Sequence, residues 1–136
     1  MLMNTTCAST PTAVADFDDI QTILDAMKRC PSDQAVIRYG FGALSNVVIG
    51  NEANANHLVV KLGGIPFLLE RMKEFRAEAD VTTRACSMLL SLSDFEHLRK
   101  PIVNAKAITA LAYAIERHGD EPSVQEYARK AIKKLV

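Results

Sequence analysis

The sequence predicts an all-α fold, a solenoid of three-helix repeats, and three observations carry that expectation. Apolar residues recur at helical spacing almost everywhere after the first dozen positions. Glycines and prolines, among them Pro31, Gly50, Gly63, Pro66, Pro101 and Pro122, gather near the ends of the apolar runs. The same apolar columns then return after 45 and again after 43 residues, the kind of self-similarity that marks a repeat architecture.

The chain opens on a Ser/Thr-rich stretch with little charge and no periodicity, so residues 1–15 are expected to form a flexible tail. A single domain is expected over residues 16–136, with repeats at approximately 16–50, 51–95 and 96–136. Within it Ile20, Ile23, Leu24 and Met27 share one helix face, and the two offsets carry them to Ile65, Leu68, Leu69 and Met72, then to Ile108, Leu111, Ala112 and Ile115. A second, longer helix in each copy places Val36, Ala43, Leu44 and Val47 over Val81, Met88, Leu89 and Leu92, and over Val124, Ala131, Ile132 and Leu135. In a chain half apolar, about one column in eight would stay apolar through all three copies by chance, so eight such columns are a signal beyond composition.

Gly40, Ala85 and Ala128 form a column of small residues in mid-helix, where a neighbouring helix can approach closely. Turns are expected at Pro31 to Asp33, Glu78 to Asp80 and Gly119 to Pro122. A shorter apolar stretch precedes the second and third copies, at Leu58, Val59, Val60 and Leu62 and at Ile102, Val103 and Ala105. Each copy thus reads as a short, a medium and a long helix, while the first offers only Ala13, Val14 and Ala15 for its short one.

Composition narrows the function classes. Sixteen basic residues balance 16 acidic ones, so no global field draws the chain to nucleic acid or anionic lipid. No apolar run reaches the roughly 18 residues of a membrane span, and the N-terminus lacks the pattern of a secretory signal, which makes a cytoplasmic or nuclear address the expectation. Cys7, Cys30 and Cys86 are odd in number and widely spaced, and free thiols are expected. His57, His97 and His118 fall in different repeat columns, and no nucleophile–base pair, metal pair or phosphate loop is visible, so neither catalysis nor a cofactor or metal is expected.

The stretch from Asn56 to Leu69, with Gly63-Gly64-Ile65-Pro66 opening a helix, resembles the join between the first two helices of an armadillo repeat, and Ala43-Leu44-Ser45-Asn46-Val47 resembles the end of that family's third helix. The resemblance covers roughly residues 17 to 136; HEAT repeats, with two helices and a similar period, are the structural alternative. It implies a right-handed superhelix whose concave side, lined by third helices, holds an extended peptide. Asn46 takes the position of the family's peptide-clamping Asn, whereas Gly42 stands where the family has Trp, and this chain has none. A basic import signal is therefore not the expected ligand.

Carried along the three copies, that face gives a candidate partner-binding groove of Arg38, Tyr39, Gly42 and Asn46, then Thr83, Arg84, Ser87 and Ser91, then Glu126, Tyr127, Lys130 and Lys134. It is polar and mixed in charge, and turns basic towards Arg129, Lys130, Lys133 and Lys134, lysines that also suit the end of a helix dipole. Asn46 itself reads either as a clamp or as a polar residue near a helix end.

The expected function is a protein-interaction module or adaptor, a scaffold that binds a protein or extended peptide. Regulation of a small GTPase is the alternative within binding. A nucleic-acid-binding repeat and a structural subunit of a larger assembly are the alternatives from other classes. A solenoid needs polar caps, and the sequence ends on Leu135-Val136, so self-association through a terminal face is a further expectation.

Overall fold

The computed structural model describes residues 20–136, and among them every regular element is helical. The expected tail and the first copy's short helix lie outside the described residues. In chain order the helices are α1 (Ile20–Arg29), α2 (Gln34–Val48), α3 (Glu52–Asn56) continued by a π turn (His57–Lys61), α4 (Ile65–Glu74), α5 (Ala79–Ser93), α6 (Glu96–Asn104), α7 (Ala107–Arg117) and α8 (Pro122–Leu135). No helix among the described residues is long and apolar enough to cross a membrane.

Local chemistry sets the boundaries. Asp33 caps α2, its carboxylate accepting from the amides of Ala35 at 3.0 Å and Val36 at 3.3 Å. Asn51 caps α3 in the same way through the Asn54 amide at 3.0 Å, and the Asn54 side chain reaches back to donate to the Val47 carbonyl at 2.8 Å. The short helices begin at Glu52 and Glu96, several residues before the apolar stretches that signalled them, because their first turns are polar. Three joins use left-handed backbone: Gly50, at φ +64°, Gly63, at φ +55°, in the join before α4, and Lys106, at φ +78°, in the join before α7.

The long helices lie side by side in chain order, α2 against α5 and α5 against α8, with α1 on α2 and α7 on α8. One continuous core runs from Ile20 to Leu135. The small column does what its size allows: Gly40 is so close to Met27 that a β-carbon there would stand 2.4 Å from the Met27 Cγ and Sδ, and Ala85 and Ala128 are fully buried. The turns that join medium to long helices are stitched together across copies. Arg71 donates to the Pro31 carbonyl at 2.8 Å, Gln34 to the Glu78 carboxylate at 3.2 Å, and the His118 Nε2 sits 2.7 Å from the Arg76 carbonyl oxygen.

Two expectations need correction. The second offset slips by one residue in the medium helix: α7 buries Ala107, Leu111 and Ala114, while Ala112 is exposed and Ile108 and Ile115 are only partly covered. The join before α7 is one residue shorter than the join before α4, so 43 fits α8 and 42 fits α7. Cys30 is disulfide-bonded, and among the described residues Cys86 is a free thiol; spacing along the chain does not report proximity in the fold. Leu135 is buried against α8's neighbours, so the terminal apolar pair exposes Val136 alone, at 84%.

Candidate functional site

The groove residues sit on the row of long helices, which α2, α5 and α8 present one after another. Arg38 and Arg84 share a partner that the sequence pattern did not single out: Asp80 lies 3.7 Å from the Arg38 guanidinium and 3.3 Å from that of Arg84. Gly42 explains itself at this point. A β-carbon at Gly42 would come within 2.9 Å of the Arg84 guanidinium, so the missing side chain leaves the space in which Arg84 crosses from α5 towards the Arg38 carbonyl, at 3.5 Å. Gly42 thus leaves a slot filled by an arginine from α5.

One turn further along, the Ser87 hydroxyl pairs with that of Ser45 at 3.0 Å, which joins α2 to α5 below the surface. Ser91 is only 6% exposed, so it belongs to the interface between helices rather than to the groove floor. Thr83 turns its hydroxyl back onto the Ala79 carbonyl at 2.8 Å, as a mid-helix threonine does when no other partner is near. Asn46 is exposed on α2.

The α8 end of the face is charged. Lys134 pairs with Asp94, the residue just past the C-terminal end of α5 that the column arithmetic passed over, and Lys130 pairs with Glu126 at 2.9 Å. Tyr39 is exposed, with the Arg38 guanidinium 5.4 Å from its ring centre, while Tyr127 is partly covered against the core. Asp80, Asp94 and Ser45 are therefore the residues that sequence reasoning missed. Asp80 stands four residues before Arg84, a spacing that signals an ion pair on a helix; nothing in the local sequence links Asp94 to Lys134.

Every side chain in these surface ion pairs is about a third exposed or more, and such pairs stabilise a fold by only about 0–1 kcal/mol. They are consequently cheap to exchange: an incoming carboxylate can take over Arg38, Arg84 or Lys130 from its present partner at little cost to the fold. Elsewhere the chemistry is quiet. Burial pushes the Cys86 thiol up to about 12, so it stays protonated and unreactive near neutral pH. His97 lies 3.6 Å from Glu52, and His118 is buried in its turn. Among the described residues no cluster of three or more His, Cys, Asp or Glu is placed to hold a metal ion.

A second concavity lies on the other row. Between α4 and α7 a cleft of about 750 Å³ is lined by Leu69, Met72, Ala110, Ala114 and Thr82, with Lys73, Arg76, Lys106 and Tyr113 at its edges. None of these belongs to the groove read from the sequence. No protein-family model, curated protein or solved structure matches the chain.

Proposed function

We propose that the chain is a protein-interaction module, an armadillo-like solenoid that binds an extended peptide along the α2–α5–α8 face. The observation that carries this reading is the stepwise row of long helices, bridged at each step by exchangeable polar pairs, with Asn46 exposed beside them. A rigid row of parallel helices offers side chains at regular intervals, which suits a ligand that is itself extended. The face carries Arg38 and Arg84 near one end and Lys130 and Lys134 near the other, so acidic side chains are the complement a peptide would bring.

The test is a selection from a displayed library of linear peptides on the full chain, followed by mapping of the binders through backbone amide shifts. Acidic peptides whose shifts follow α2, α5 and α8, and which bind at least tenfold more weakly to Asn46→Ala, support the proposal. Binders that map elsewhere, or that ignore both Asn46→Ala and Lys130→Ala, refute it.

A further inference from the structure

We propose that the cleft between α4 and α7 binds a small amphiphilic anion, a molecule with an apolar body and a carboxylate head. Its volume of about 750 Å³ falls within the roughly 300–1,000 Å³ typical of pockets for small organic ligands. The space arises from the slipped register. α7 turns Ala110 and Ala114 towards α4 where the previous copy has Leu68 and Met72, so methyl groups stand where larger side chains would close the gap between the two helices.

Two observations specify the ligand. The first is Thr82, which lines the cleft, is only 2% exposed and has no hydrogen-bond partner for its hydroxyl. Its neighbour Thr83 bonds back to the preceding turn at 2.8 Å; Thr82 does not. Buried hydroxyls are rarely left unpaired, and valine would fill the same volume without that penalty, so a hydroxyl here calls for an acceptor or donor inside the cleft.

The second is charge. Lys73 and Arg76 line one end of the cleft and Lys106 the other, with one carboxylate, Glu70, among the lining residues. Arg76 is fixed there by donating to the Lys73 carbonyl at 2.9 Å, which also caps the end of α4. Thr82 sits at the same end, because α5 begins three residues after Arg76. A carboxylate at this end accepts from the Thr82 hydroxyl and faces the Lys73 ammonium and Arg76 guanidinium, while the apolar body runs along Leu69, Ala110 and Ala114 beneath Tyr113, which is 44% exposed. At the other end Lys106 holds left-handed backbone at the start of α7 and places an ammonium at the rim.

The experiment titrates decanoate into the full chain and follows backbone amide shifts, with decanol and decylammonium as matched probes. Saturable decanoate shifts confined to α4, α7 and the first turn of α5 are expected, with decanol at least tenfold weaker and decylammonium without effect. Ala110→Leu, which fills the cleft, removes binding. Thr82→Val melts no lower than the parent yet binds decanoate at least threefold more weakly, an outcome that a merely structural threonine would not give. Equal binding of decanol, shifts away from the cleft, or no saturable binding overturns the proposal. So does a concentration-dependent dimer abolished by Ala110→Leu, which would make a second copy of the chain the occupant.

Discussion

The row of long helices and the row of medium helices are built from the same repeat, yet one is closed and the other is open. In α2, α5 and α8 the buried positions keep one register, with Val36, Val81 and Val124 and then Gly40, Ala85 and Ala128 in step, and all six are buried. In α4 and α7 the register slips by one residue and two alanines meet a leucine and a methionine, which leaves the cleft. Identical period does not ensure identical packing; side-chain volume at the contact decides whether two neighbouring helices close on each other.

The largest expected effect tests that contrast directly. Leu89→Ala removes a fully buried side chain from α5, the helix packed on both sides, and is expected to destabilise the fold by about 3 kcal/mol, whereas Leu69→Ala at the edge of the cleft costs about 1 kcal/mol or less. Urea unfolding of both variants provides the comparison. Equal losses would mean that the cleft closes in solution.

Gly40→Ala comes next. A single methyl must displace the buried Met27 side chain, and overpacking of this kind costs about 1–3 kcal/mol, more than the small gain in helix propensity returns. Pairing it with Met27→Ala sharpens the result, since the double variant should lose less than the sum of the two single ones.

How much of this was legible in the sequence differs between the two rows for the same reason. The long helices announce themselves through unbroken apolar columns, and the closeness of Gly40 to Met27 follows from the small-residue column. The register of α7 did not, because Ala107, Ala110 and Ala114 form a face of small residues while Ile108, Ala112 and Ile115 offer a bulkier apolar face beside it. Where two adjacent faces are both apolar, periodicity does not choose between them. That Arg38, Gly42 and Asn46 share one long helix and Arg84 lies on the next was legible, but the reach of Asp80 to Arg38 and of Lys134 to Asp94 was not, since a cross-helix pair depends on how far apart two helices lie. The Thr82 hydroxyl was invisible for a similar reason: a threonine in a helix becomes informative only once its burial and missing partner are known.

The strain at the edge of the open row gives a smaller effect of opposite sign. Lys106 adopts left-handed backbone, which costs a non-glycine residue roughly 1–2 kcal/mol, and Gly63 shows the cheaper solution in the previous copy. Lys106→Gly is expected to stabilise the fold by about 0.5–1 kcal/mol, read as a raised urea midpoint at unchanged slope. A loss of stability would mean that the lysine side chain holds the α6–α7 join by contacts of its own.

The smallest effect concerns the seam between the two rows, where Arg71 reaches from α4 to the Pro31 carbonyl and also binds Glu74. The Arg71 guanidinium, and after it the Ser32 hydroxyl, hold the Glu74 carboxyl below its ordinary value. A carboxylate with a lowered value in the folded state stabilises the fold above its unfolded pKa, and that contribution fades as pH falls through the lowered folded value. Because Glu74 is exposed, salt should screen it. Unfolding measured at pH 7 and pH 3 is thus expected to show a smaller acid loss for Glu74→Gln than for the parent, with the difference vanishing in high salt. If the two proteins lose stability equally, Arg71 is held by the Pro31 carbonyl and the Phe67 ring alone, and the seam is a matter of turn geometry rather than charge.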